Sequence, residues 1–326
     1  MAQVQVDRSG EGAALRAAGA AGSAECAGGA CSSGAVHGAT PLPSATEARC
    51  AAAGGVAVAG RPAAVRVERF SFGYEGPDDA VRSVLDDVSF EVEEGAFCVI
   101  VGATGCGKTT LLRSLKPELA PVGVAAGDIA VLGKPLVRNG APVSERDGGV
   151  SRVESAAQIG FVMQDPAMQI VCDTVWHELA FGLENLGTPQ DEMRRRVAEV
   201  AHFFGIEPWV RRDTEGLSGG QKQIVNLAAV LALRPRVLLL DEPTAQLDPN
   251  ALKRFLFLLA RVNRELGITV VMATHAPEDV ADYATCTIEL EPVGELGSGE
   301  RVREELRPRW QARRERLAAA RACAET

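Results

Sequence analysis

Alternating and continuous apolar runs divide the chain from residue 65 onward into strands and helices. Val65-Arg66-Val67-Glu68-Arg69-Phe70 alternates like a strand with one buried face, and residues 88–92 alternate in the same way. Residues 96–101 form a continuous apolar run that ends at a glycine, the pattern of a strand buried on both faces in a parallel sheet. A helix is predicted from Gly107, stopped at Pro117. Residues 159–163, 237–240 and 268–272 read as further buried strands, and 174–232 as mainly helical. Asp248-Pro249 supplies an N-cap followed by proline at the first helical position. Beyond it Leu252, Phe255, Leu256, Leu259 and Val262 recur at helical spacing and define one buried face.

Strands alternating with helices imply an α/β fold with a mainly parallel sheet covered on both faces. The helical block between Gln164 and Arg234 interrupts that alternation and reads as an inserted helical subdomain, about 165–232. The whole domain is expected over 63–298. Residues 1–62 are rich in Ala, Gly and Ser and poor in large apolar side chains, so they are expected to be disordered. Residues 299–326 form a charged, Arg-rich tail broken by Pro308, which reads as a solvated helix, with a subunit contact as the alternative.

Composition narrows the function classes. The 326 residues are 46% hydrophobic, enough for a sizeable core. The net charge of −9 argues against a nucleic-acid partner. No run approaches the ~18 apolar residues of a spanning helix, and residues 1–10 lack the basic and apolar regions of a secretory signal. A cytosolic chain is expected. The eight cysteines (26, 31, 50, 98, 106, 172, 286 and 323) are scattered as in a reduced protein, and Cys26 with Cys31 has no second pair to complete a metal site.

Three motifs carry chemistry. Gly102-Ala103-Thr104-Gly105-Cys106-Gly107-Lys108-Thr109, followed by Thr110, fits the phosphate-loop pattern and lies between a buried strand and a helix. Its glycines let backbone N–H groups close on phosphate oxygens, Lys108 bonds the outer phosphates, and Thr109 offers a hydroxyl to Mg²⁺. A second buried strand ends in Asp241 and Glu242, one carboxylate for Mg²⁺ through water and one to polarise an attacking water. Leu217-Ser218-Gly219-Gly220-Gln221 opens an apolar-periodic helix through Ile224, Leu227, Ala228 and Leu231. That makes a second helix end suited to an anion. One ATP on one chain does not need two such ends, whereas two chains arranged head to tail do.

These motifs, in this order, resemble the ATP-binding cassette family over roughly residues 64–298. The resemblance implies a P-loop ATPase with a mainly parallel sheet core, an antiparallel β subdomain and an inserted helical subdomain. It places Tyr74 as the ring that stacks on adenine, with Phe70 and Phe72 as alternatives whose competing role is core packing. It places Gln164 at Mg²⁺ and the attacking water, Ala245-Gln246-Leu247-Asp248 at the dimer interface, and His275 as the sensor of the γ-phosphate. The catalytic set it implies is Glu242, Gln164, His275 and Lys108, and the metal set is Thr109, Gln164 and Asp241.

Gln164-Asp165-Pro166-Ala167-Met168-Gln169-Ile170, the segment from Val175 through Glu178 to Asn185, and the Ala-Gln-Leu-Asp string are similar to the ATPases of energy-coupling factor transporters. That likeness implies a subunit powering vitamin or transition-metal uptake from the cytoplasmic face of the membrane. Its implied partners are a second cassette ATPase, identical or paralogous, a transmembrane coupling subunit and a substrate-capture membrane subunit. Ile170, Val171 and Trp176 fall where membrane coupling helices would dock, or else belong to the helical core, while His177 and Glu178 read as structural. The competing readings are a conventional ABC transporter ATPase and a soluble cassette ATPase acting on ribosomes or DNA. Residues 137–157 are longer and more polar than the family pattern, Ala276-Pro277 follows His275 where an acidic residue is more usual, and 291–299 is abbreviated.

Overall fold

A computed structural model describes residues 4–7, 61–76 and 81–293. Two sheets organise them. The strands are β1 (Val4–Asp7), β2 (Ala63–Glu75), β3 (Val81–Glu93), β4 (Phe97–Gly102), β5 (Val124–Val131), β6 (Lys134–Arg138), β7 (Ala141–Pro142), β8 (Ile159–Val162), β9 (Val237–Asp241), β10 (Thr269–Ala273) and β11 (Cys286–Leu290). The first sheet has the order β1-β11-β4-β10-β9-β8, and the second, antiparallel sheet has the order β3-β2-β5-β6-β7. In the first sheet β11, β4, β10, β9 and β8 are parallel, and β1 alone runs antiparallel, against β11.

The continuous apolar strands are explained by burial on both faces. Along β4, Phe97 and Val99 join a core with the helices of the inserted subdomain, whereas Cys98 and Ile100 join a second core with the helix after the phosphate loop and the antiparallel sheet. In β9 and β10 successive residues divide in the same way, Leu238, Leu240, Val270 and Met272 on one side and Val237, Leu239 and Val271 on the other. This is the period-two alternation of a strand, with no face left polar.

The helices are α1 (Lys108–Ser114), α2 (Arg152–Gln158), α3 (Pro166–Gln169), α4 (Val175–Asn185), α5 (Gln190–Phe204), α6 (Gly219–Ala232), α7 (Pro249–Leu266) and α8 (Pro277–Val280). Residues 152–157 of the polar stretch 137–157 fall in α2, which Ser151 caps, its hydroxyl accepting from the Glu154 N–H at 3.1 Å. Helix α7 buries Phe255, Leu256, Leu259 and Val262, with Leu252 packed at the edge of the same core. Truncating a side chain such as Phe255 to Ala would cost about 3–5 kcal/mol.

Of residues 1–60, read as disordered, the structure describes only β1, which pairs in register Val4↔Leu290 and Val6↔Ile288 on the edge of the first sheet. The alternation Val4-Gln5-Val6 is short enough to be lost among the small residues around it. The expectations for Cys26 with Cys31 and for the tail 299–326 fall outside the described residues. No helix among the described residues is long and apolar enough to cross a membrane.

Candidate functional site

The parallel strands β4, β9 and β10 deliver their carboxyl ends to one edge of the sheet, in register Met272↔Val99, Met272↔Leu240 and Ala273↔Asp241. The phosphate loop leaves β4 at that edge. Gly107 has φ +100°, and a Cβ there would lie 2.6 Å from Leu85, so the turn into α1 admits glycine only. Gly102 is as constrained, since a Cβ would meet the Leu290 carbonyl oxygen at 2.4 Å. The Cys106 N–H donates to the Ala103 carbonyl at 3.2 Å, closing the loop over Thr104 and Gly105. Cys106 itself is buried.

Lys108 is buried at the first position of α1. Its Nζ donates to the carbonyls of Gly102 at 2.8 Å and Ala103 at 3.1 Å, and lies 3.3 Å from His275 Nδ1 and 3.8 Å from Glu242 Oε1. His275 Nε2 sits 2.5 Å from the same Glu242 oxygen. Lys108, His275 and Glu242 thus form one connected group. Glu242 adopts φ +46°, a left-handed conformation rare outside glycine, and its N–H donates to the Ala273 carbonyl at 3.1 Å. That bond ties the turn after β9 to β10, the strand that leads to His275.

Thr109 donates its hydroxyl to Asp241 Oδ1 at 2.9 Å. Asp241 is buried, and burial raises its carboxyl above the ordinary aspartate range, opposed by the Thr109 hydrogen bond and reinforced by the charge of Glu242. A hydroxyl and a buried carboxylate side by side form a hard-oxygen donor set that suits Mg²⁺. Gln164 lies exposed on the turn after β8 and, among the described residues, makes no side-chain hydrogen bond to this group.

Tyr74, at the end of β2, is 39% exposed, packs edge-on against Phe72 with ring centroids 5.0 Å apart, and its hydroxyl lies 3.1 Å from Thr110 Oγ1. Phe70 and Phe72 are buried, which leaves Tyr74 as the accessible ring of the three.

The signature residues stand apart. Among the described residues no hydrogen bond or ion pair joins Ser218, Gly219, Gly220 or Gln221 to the Lys108 group. They form a capping box instead: the Gln221 N–H donates to the Ser218 hydroxyl at 3.3 Å, and the Ser218 N–H donates to Gln221 Oε1 at 2.9 Å. Asp248 caps α7, accepting from the N–H groups of Asn250 at 3.0 Å and Ala251 at 3.1 Å.

The apolar segment after Gln164 divides. Val171 is 63% exposed, Ile170 is half-buried, and Trp176 packs against the helical core. Met168, 76% exposed, stands beside them in the chain and was not singled out from the sequence. Glu178 is buried and accepts from the N–H groups of Val171 at 3.0 Å and Cys172 at 2.9 Å, while His177 Nδ1 lies 2.9 Å from the Thr174 hydroxyl. Both act as structural residues. Sequence reasoning also missed Gln169, whose amide accepts from the Met163 N–H at 2.8 Å and donates to the Phe161 carbonyl at 3.0 Å. Gln223 and Asn226 of α6 were missed as well, although as amides inside an otherwise apolar helix face they are a signal of their own.

Comparison with known proteins agrees with this arrangement. The family described as ABC transporter matches residues 85–245. A Bacillus cereus protein described as an ABC transporter ATP-binding protein is 46% identical over 222 residues, 68% of this chain, and the chain spans only 38% of that relative's length. The energy-coupling factor transporter ATP-binding protein EcfA1 of Symbiobacterium thermophilum is 42% identical over 217 residues, 65% of this chain and 71% of that protein. Among solved structures, cbiO1 of Clostridium perfringens, part of the ABC transporter complex cbiONQ, superposes with a TM-score of 0.61 at 31% identity, covering 74% of this chain and 91% of that one. At 42% identity to a relative of which it spans 71%, the protein belongs to the ATP-binding cassette family of transporter ATPases.

Proposed function

We propose that this chain binds and hydrolyses ATP to power a membrane importer of the energy-coupling factor type, and that it works as one of two paired cassettes. The reading rests on one observation above the rest: Lys108, Glu242 and His275 are joined at the carboxyl edge of the sheet, while Ser218 closes a separate helix end. A site divided in this way is completed by a second cassette.

In this mechanism the loop from Gly102 to Thr110 holds the phosphates, and Tyr74 stacks on adenine. Lys108 has three donors, all directed at Gly102, Ala103 and His275, so a phosphate exchanges for those partners. Thr109, Asp241 and Gln164 would hold Mg²⁺, and the ion would supply charge neutralisation on the phosphates. Glu242 takes a proton from the attacking water, and His275 holds that carboxylate through its Nε2–H. Asp248 positions the chain at the dimer interface. Ser218, Gly219, Gly220 and Gln221 meet the other cassette's nucleotide.

The importer reading is supported by the likeness to EcfA1 and to cbiO1, part of the ABC transporter complex cbiONQ. Exposed Met168 and Val171 provide a surface for a membrane coupling subunit at the cytoplasmic face. The cargo is a vitamin or a transition metal, recognised by a separate membrane subunit. Purification of the tagged chain from its own cell's membranes in mild detergent tests this. Recovery with a multi-span coupling subunit and a small substrate-capture protein is the expected result. Recovery with ribosomes or nucleic acid, or with a membrane partner of a conventional transporter, would overturn it.

A further inference from the structure

The turn that carries Gln164 is fastened from behind by the signature helix. Gln223 is 0% exposed and Asn226 is 1% exposed, three residues apart on α6. Gln223 Nε2 donates to the Met163 carbonyl at 3.3 Å, and Asn226 Nδ2 donates to the Pro166 carbonyl at 3.0 Å. These two carbonyls flank Gln164, one residue before it and two after. On the other side, Gln169 grips the same turn through the Met163 N–H and the Phe161 carbonyl.

A carbonyl only accepts, so both amide orientations are fixed by their partners. Gln223 Oε1 and Asn226 Oδ1 are then buried with no hydrogen-bond partner. A buried acceptor left unpaired is destabilising. The neighbours Ile224, Val225, Leu227 and Ala228 are all buried and apolar. Two half-satisfied amides in such a face are a poor choice for packing alone.

We infer that Gln223 and Asn226 are positioning residues that make the Gln164 turn follow α6 whenever that helix moves. The inference rests on the reading of Gln164 as the glutamine of the nucleotide site. Helix α6 is capped by Ser218, at the end proposed to meet the partner cassette's ATP, and about two turns on it grips the loop of its own cassette's ATP. The two amides therefore connect one nucleotide site of the pair to the other.

Gln223→Met and Asn226→Leu test this in the full chain. Each removes the donor and the unpaired oxygen together at nearly constant volume, so the melting temperature is expected to hold or rise. The expected result is a roughly tenfold lower kcat, a KM for ATP within about twofold of the parent, and faster hydrogen–deuterium exchange confined to residues 161–170. Parental kcat and parental exchange in both variants and in the double variant would overturn the inference. So would a lower melting temperature with weakened ATP binding, which marks a purely structural role. Gln164→Ala separates the two claims. Parental turnover in that variant sinks the assignment of Gln164, while the exchange of residues 161–170 still reports whether the amides fasten the turn.

Discussion

Lys108 Nζ lies 3.3 Å from His275 Nδ1, a contact that suits the ring tautomer with its hydrogen on Nε2. An ammonium only donates, so Nδ1 accepts and the hydrogen sits on Nε2. Nε2 is the atom 2.5 Å from Glu242 Oε1. The imidazole therefore donates to the carboxylate, leaving Glu242 an acceptor whose position is set by a ring held at both ends. Lysine, histidine and glutamate come from α1, the loop after β10 and the turn after β9.

Glu242→Gln keeps an oxygen for His275 Nε2–H and removes the proposed base. Turnover is expected to fall by about 10²–10⁴-fold with ATP affinity little changed. Phosphate release paired with fluorescent-nucleotide titration checks both quantities. A variant that hydrolyses at the parental rate would remove Glu242 from the mechanism.

Asp241→Asn keeps an acceptor for the Thr109 hydroxyl and removes a buried charge. Because burial raises the Asp241 carboxyl, the folded state binds its proton more tightly than the unfolded state does. In metal-free protein this residue's contribution to stability is thus greatest at low pH. It is lost as pH rises from the ordinary aspartate range through the raised value. Metal-free Asp241→Asn should melt higher than the parent at neutral pH, by roughly 2–4 °C for each kcal/mol relieved. It should also lose the stabilisation that the parent gains from Mg²⁺ with nucleotide. Scanning calorimetry with and without Mg²⁺ separates the two effects, and a lower metal-free melting temperature would count against burial as the dominant influence.

Tyr74→Ala should weaken ATP binding by the worth of one stacked base, about 1–3 kcal/mol, whereas Tyr74→Phe loses only the contact with Thr110. Titration with ATP and with GTP measures both. Equal losses for the two variants would place the hydroxyl, and not the ring, at the centre of recognition.

Much of this site is legible in the chain because phosphate chemistry restricts the residue types. A loop whose backbone must close on an anion needs glycine at Gly102 and Gly107, and the apolar strands before Gly102 and Asp241 announce where that loop and that carboxylate must lie. What escapes is the support behind it. Gln223 reaches Met163 and Asn226 reaches Pro166 across sixty residues of sequence. Neither periodicity nor local spacing encodes a side chain that bonds a distant carbonyl. Glu178 reads as structural in the chain, but its partners, the N–H groups of Val171 and Cys172, escape in the same way.

Gly219 has no local reason to be glycine. It does not adopt a positive φ, and a Cβ there would meet nothing within 4 Å, unlike Gly220, whose Cβ would lie 2.8 Å from Ala251. Gly219→Ala should therefore keep the parental melting temperature and, on the proposal that this helix end meets the other cassette's phosphate, lose at least tenfold in turnover. Parental turnover would show that no ligand approaches this helix end closely.

Glu178→Ala should release residues 171 and 172 and cost about 1–3 kcal/mol, with weaker recovery of any membrane partner at unchanged basal turnover. Glu178→Gln retains an acceptor and should fall between the two. Melting curves and detergent pull-down test the pair, and undiminished recovery with the alanine variant would detach this loop from docking.

The left-handed backbone at Glu242 sets durability against work. Glycine at that position would relax the chain, and asparagine would suit the same conformation better than glutamate does. Either exchange would give a sturdier molecule without the proposed base. A screen that rewards heat resistance alone would drift toward such replacements, so this position must be withheld from any campaign to harden the protein.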